Sequence, residues 1–255
     1  MWSNLNPPSV SDDTLTPAQV GNPAPADPIR FYGRRKGKPL KAGRQTLLET
    51  LLPQLRIDLG SQAQAIDPAS FFSWAPQAVR LEVGFGSGEH LAAQAAANPA
   101  IGFIGSEVFL NSVASLTRYA EAMNLANLRI FDNDVRHLLP TLKDACLERI
   151  TLLFPDPWPK SRHAKRRFVG PAMLDELARL LVDGGEFRVA SDHPVYVAWT
   201  LQHGPVHPAF RWMVAGPDDW RIRPADSVAT RYEEKARIAG RAPVFLRFLR
   251  RPRSP

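Results

Sequence analysis

The chain has 255 residues, 44% of them hydrophobic, which is room for one α/β domain with a buried core and an appendage. Its 32 Lys and Arg outnumber 25 Asp and Glu to leave a formal charge of +7, which points to a polyanionic partner without saying which. A lone cysteine, Cys146, excludes an internal disulfide framework, and no apolar run approaches the roughly 18 residues of a membrane span. With no positively charged start followed by an apolar run in "MWSNLNPPSVSDDTLTP", the expected location is the cytoplasm and no membrane partner is expected.

Residues 1–28 are rich in Pro, Ser, Asp and Asn without a hydrophobic period, and read as a disordered arm. Residues 29–78 form a second section. It opens on a basic run (Arg34, Arg35, Lys36, Lys38, Lys41 and Arg44) and continues into an amphipathic helix predicted over "TLLETLLPQL".

Residues 79–255 alternate short apolar runs with helical stretches, the pattern of a parallel sheet covered on both faces. The predicted strands are "VRLEV", "FIGSEV", "LRIFD", "RITLLF" and "GEFRVAS", closed by "FRWMV" and "VFLRFL". Between them "HLAAQAAAN", "LNSVASLTRYAEAMN", "VRHLLPTLKDA", "PAMLDELARLLVD" and "PVYVAWTLQ" read as helices. Five β/α units and two closing strands predict a doubly wound sheet with a ligand crevice at the carboxyl ends of its strands.

The first strand runs into "LEVGFGSGEH", which sets Gly84, Gly86 and Gly88 before an alanine-rich helix. Glycines there allow a sharp turn and close approach of a ligand to the backbone. A dinucleotide fingerprint would need glycine where Glu89 stands, and Glu82 would repel a pyrophosphate, so NAD is disfavoured. An acid before the turn, a second acid (Glu107) after the next strand and a third (Asp134) after the one beyond suit a cationic, non-phosphorylated nucleoside. Glu107 is placed to accept ribose hydroxyls and Asp134 to meet a base amino group.

The fourth strand opens into "FPDPWPKSRHAKRR". Pro157 and Pro159 restrict that loop and hold Asp156 and Trp158 with little entropy left to lose. A carboxylate so held can accept from the N1 and N2 donors of guanine, and an aromatic ring can wall a splayed base. Lys160, Arg162, Lys165, Arg166 and Arg167 follow, and a third basic run comprises Arg247, Arg250, Arg251 and Arg253. Three runs without interleaved acids favour RNA.

The series "E-x-G-x-G-x-G … E … ND … FPDPWPK" resembles the class I S-adenosylmethionine methyltransferases. More narrowly, it is similar to the bacterial tRNA (guanine-N7-)-methyltransferase family, from "RRKGKPL" near residue 34 to "TRYEEKA" near residue 230. The resemblance implies a Rossmann-like, seven-stranded methyltransferase sheet with a basic N-terminal extension. It also implies transfer of methyl from S-adenosylmethionine to N7 of guanosine 46 in the variable loop of tRNA. By motif it assigns Glu82, Gly84, Gly86, Gly88, Glu107, Asp134 and Asp156 to the cofactor or active site, with Asp156 catalytic. Lys160, Asp192, Thr230, Arg231, Tyr232 and Glu233 match substrate-binding positions. Methylation of another RNA base, and a non-catalytic RNA-binding module on the same fold, stay open as alternatives, as do monomer and homodimer.

Other chemistries fit less well. His203 and His207 stand four apart, but "HGPVH" cannot hold both on one helical face, so no metal is expected. Ser87 lacks the glycines of a nucleophile elbow, with Phe85 and Glu89 in their places. Asp192 and His193 have no convincing serine partner.

Overall fold

A computed structural model describes residues 31–60 and 64–254. The arm expected over 1–28 lies outside the described residues. In chain order the elements are α1 (Ala42–Thr50), α2 (Leu52–Leu55), β1 (Ala78–Val83), α3 (Glu89–Ala97), β2 (Ile101–Ser106), α4 (Leu110–Ala122), β3 (Leu128–Phe131) and α5 (Val135–Leu138). They continue with β4 (Leu147–Leu153), α6 (Pro171–Leu180), β5 (Leu181–Ser191), α7 (Pro194–His203), β6 (Phe210–Trp212), α8 (Asp218–Arg221), α9 (Arg231–Ile238) and β7 (Val244–Arg250). The strands form one sheet in the order β3-β2-β1-β4-β5-β7-β6, with β1 to β5 parallel and β7 antiparallel to both its neighbours. The strand order reverses between β1 and β4, and crevices form at such switch points.

Two helices are shorter than their apolar spacing predicts. The one predicted over 46–55 breaks at Leu51, because Pro53 has no N–H to give and its ring would meet the carbonyl of Glu49. The one predicted over 135–145 is a single turn, α5, followed by a 3-10 turn at Leu139–Thr141 that Pro140 imposes.

The two faces of the sheet differ. Val79, Leu81 and Val83 of β1, Ile150 and Leu152 of β4, Phe187 and Val189 of β5, and Leu246 and Phe248 of β7 share one apolar cluster with Leu174 and Leu177 of α6 and Tyr196 of α7. Each such buried side chain contributes on the order of 1.5–3 kcal/mol. On the other face, Phe103, Leu128 and Ile130 pack against Leu91, Ala95, Val113 and Leu116 of α3 and α4, but only on the β2–β3 side. Because side chains alternate along a strand, that face of β1, β4, β5 and β7 carries Arg80 and Glu82, Arg149 and Thr151, Glu186 and Arg188, and Arg247. Half of one sheet face is therefore a layer of charge.

Candidate active site

A cavity of about 700 Å³ opens at the carboxyl ends of β1 to β4, lined among others by Gly84, Gly86, Glu107, Asp134, Asp156 and Tyr232. Its floor is the glycine turn. Gly84 has φ +65°, and a methyl built on it would meet nothing within 4 Å, so the backbone there lies bare to a ligand. Gly88 has φ +83°, and a methyl on it would lie 2.8 Å from Leu116, so the turn docks directly on α4.

Glu107 follows β2 and is held by three backbone donors: Gly86 N to Oε2 at 3.1 Å, and Val108 N and Phe109 N to Oε1 at 2.8 and 3.0 Å. Burial pushes its carboxyl above the usual range, the backbone donors oppose that rise, and the charge of Asp156 adds to it. Oε2 accepts a single backbone bond, which leaves it capacity for a ligand hydroxyl. Asp134 caps α5 by accepting from Arg136 N at 3.0 Å and pairs with the Arg136 guanidinium at 2.6 Å. Burial works to raise its carboxyl, but the bonds to Arg136 outweigh burial and hold it below the usual range.

Asp156 lies in the loop after β4, exposed at the cavity, and no described residue hydrogen-bonds its carboxylate. The loop is under conformational constraint on both sides of it. Phe154 and Trp158 have φ of +50° and +42°, a left-handed region that L residues rarely enter, and each precedes a proline. Three hydrogen bonds fasten the loop: Phe154 N donates to Ala190 O at 2.8 Å, and Arg167 donates from Nε to Pro157 O at 3.3 Å and from Nη2 to Trp158 O at 3.0 Å. Trp158 sits edge-on to Tyr32 (6.2 Å) and His163 (5.9 Å), and the Arg166 guanidinium lies 4.3 Å from the Tyr32 ring centroid and 4.9 Å from that of Trp158.

The remaining expected site residues fall in different places. Glu82 does not line the cavity: its side chain points to the charged face and accepts from His90 Nδ1 at 2.6 Å, one residue short of the turn. Lys160 is exposed and precedes the 3-10 turn Ser161–Arg166; it is not itself a lining residue, although Trp158 and Lys165 on either side of it are. Asp192 pairs with Arg241 at 2.6 Å.

Of "TRYE", only Tyr232 reaches the cavity, where a methyl on Gly86 would lie 3.0 Å from its ring. Thr230 caps α9 by accepting from Glu233 N at 3.1 Å, Arg231 N donates to Glu89 at 2.7 Å, and Glu233 pairs with Arg223 at 3.2 Å. The spacing T-x-x-E is a capping-box signal that the sequence already carries. Tyr32 and Trp199 also line the cavity without having been anticipated, although an aromatic beside a basic run is a readable sign of a nucleic-acid surface.

The third basic run makes internal bonds along the sheet. Arg247 pairs with Glu186 at 2.5 Å, Arg251 donates to Phe210 O at 3.1 Å, and Arg253 pairs with Asp183 and donates to the carbonyls of Ala178, Arg179 and Leu181. Arg250 donates to Ala178 O at 3.1 Å. These arginines tie β7 and the residues after it to β5, β6 and the end of α6. By contrast Arg34, Arg35, Lys36, Lys38 and Lys41, and Lys160, Arg162 and Lys165, are exposed. Among the described residues no group of three or more His, Cys, Asp and Glu could hold a metal ion, and no helix is long and apolar enough to cross a membrane.

Residues 76–246 match the family model Methyltransf_4, described as "Putative methyltransferase". A tRNA (guanine-N(7)-)-methyltransferase of Rhodospirillum rubrum is 55% identical over 232 residues, covering 90% of this chain and 91% of that one. One of Paramagnetospirillum magneticum is 52% identical over 237 residues, covering 92% and 98%. Among solved structures, the 16S rRNA methyltransferase KamB superposes with a TM-score of 0.50 at 16% identity, covering 69% of this chain and 89% of that one, which is a likeness of fold.

Proposed function

The chain belongs to the tRNA (guanine-N(7)-)-methyltransferase family, and from that premise we propose that it methylates N7 of guanosine 46 in the variable loop of tRNA. The methyl donor is S-adenosylmethionine, whose sulfonium, when bound, makes the attached methyl carbon electrophilic. The residues present fit that donor. The bare backbone of Gly84 leaves room for it, the free capacity of Glu107 Oε2 suits a ribose hydroxyl, and the acids along the cavity suit a cationic ligand.

The observation that carries the reading is the Asp156 carboxylate, which no described residue hydrogen-bonds, on the same cavity as Glu107 and in a loop with two left-handed residues around it. Asp156 accepts from the N1 and N2 donors of guanine and so fixes the direction of N7. The N7 lone pair is free in neutral guanine, so no side chain has to remove a proton. The protein's part is alignment of the base and exclusion of water, which Trp158 and Tyr232 assist as walls. Lys160, Arg162, Lys165 and the run 34–44 supply contacts for tRNA phosphates.

The position is tested by borohydride reduction and aniline cleavage of methylated tRNA, which cuts the strand at 7-methylguanosine. A single cut at position 46, abolished when that nucleotide is adenosine, is expected. A cut elsewhere would overturn the assignment of position.

A further inference from the structure

The charged sheet face holds more cation than its own acids neutralise. Glu148 pairs with Arg80 at 2.5 Å, while Glu186 is shared among Arg188 (2.8 Å), Arg247 (2.5 Å) and Arg149 (3.4 Å). Glu82, on the same face, is bound to His90. Burial and the neighbouring charges of Arg188 and Arg80 depress the Arg149 guanidinium, and the carboxylates of Glu186 and Asp226 oppose that fall.

The missing anion comes from outside the sheet. Asp226, in the stretch between α8 and α9, places Oδ1 2.8 Å from Arg188 and Oδ2 3.1 Å from Arg149, and its carbonyl accepts from Gln94 of α3. Four residues later Thr230 caps α9, Arg231 N binds Glu89 at the start of α3, and Tyr232 packs on Gly86 at the cavity. The whole stretch has little apolar anchorage of its own, since α9 buries only Ala236. Charge rather than hydrophobic burial fastens it.

We propose that Asp226 is a positioning residue for the methyl-donor cavity: by binding Arg149 and Arg188 it clamps residues 222–238 to the sheet and so sets Tyr232 as the roof over Gly86 and Glu107. This rests on the reading of that cavity as the S-adenosylmethionine site. Asp226 touches neither donor nor base, and its effect passes through Tyr232.

The test is a double-mutant cycle read by calorimetry with S-adenosylhomocysteine as the probe, on the full chain. Asp226→Asn and Tyr232→Ala are each expected to weaken binding about tenfold, and the double variant no more than either single one, because both remove the same roof. Asp226→Glu, which keeps the charge, is expected to restore affinity to within about threefold of wild type. Hydrogen exchange is expected to quicken across α9 in Asp226→Asn while β4 and β5 keep their protection. Should Asp226→Asn not fold, Gln94→Ala, which removes only the amide on the Asp226 carbonyl, is expected to speed exchange in the same stretch and to weaken binding in the same direction. Additive losses in the cycle, or unchanged exchange in α9, would overturn the role of Asp226. A wild-type protein that does not bind the probe would instead overturn the reading of the cavity.

Discussion

At Asp156, backbone strain and chemistry coincide. Left-handed φ at Phe154 and Trp158 costs on the order of 1–3 kcal/mol each, which the surrounding contacts must offset, and the return is a carboxylate fixed at the cavity that no described residue hydrogen-bonds. If Asp156 orients guanine, Asp156→Asn is expected to leave S-adenosylhomocysteine affinity nearly intact yet lower kcat/KM for tRNA by about 10². A raised dissociation constant for the cofactor product with unchanged turnover would instead assign Asp156 to the methionine end of the donor.

Glu107 makes a separate, pH-dependent prediction. Burial raises its carboxyl, so on acidification it takes up its proton at a higher pH than an ordinary glutamate, and the acceptor proposed for the ribose turns partly into a donor. Affinity for the donor is therefore expected to start falling above the ordinary carboxylate range as pH is lowered. Glu107→Gln should bind weakly at every pH, without that decline. Titration calorimetry across mildly acidic pH distinguishes the two.

Among the elements, the strands were legible because apolar residues fall at every second position on the face beneath α6 and α7: Val79, Leu81 and Val83; Ile150 and Leu152; Phe187 and Val189; Leu246 and Phe248. The helices shortened at Pro53 and Pro140 show where apolar spacing yields to a missing N–H. α9 was not legible by spacing, since a helix that buries only Ala236 has no hydrophobic period, and only its T-x-x-E cap signal marks where it starts. The charged half-face was written in the alternation of "AVRLEV" and "EFRV", but its partner Asp226 lies far along the chain and only tertiary structure brings it there. The glycine turn makes a prediction at this scale. Gly88→Ala adds a methyl 2.8 Å from Leu116 at φ +83°, which is expected to cost about 1–3 kcal/mol and to weaken donor binding as the turn shifts. Denaturant unfolding and probe binding measured on one preparation would show both losses, and a variant as stable as wild type would contradict the docking of the turn on α4.

For the whole molecule, the net charge of +7 is spent in two ways. Arginines at the C-terminal end tie the chain to β5 and the end of α6, whereas the runs at 34–44 and 160–165 remain exposed beside the cavity. Composition alone could not separate these uses, because an arginine bound to a carbonyl and one awaiting a phosphate are the same letter. The logarithm of tRNA affinity is expected to fall linearly with the logarithm of salt concentration, with the slope lowered by Lys→Ala changes at 36 and 38 but not by Arg253→Ala. Affinity for S-adenosylhomocysteine should hardly respond to salt, and a flat tRNA curve would remove the phosphate contacts. The central claim, that this cavity transfers a methyl group to guanine N7 of tRNA through the placement set by Asp156, is tested most directly by incubating tRNA with methyl-labelled S-adenosylmethionine and digesting it to nucleosides. The label is expected in 7-methylguanosine with wild-type protein and to be nearly absent with Asp156→Ala; label in any other nucleoside, or undiminished 7-methylguanosine with Asp156→Ala, would contradict it.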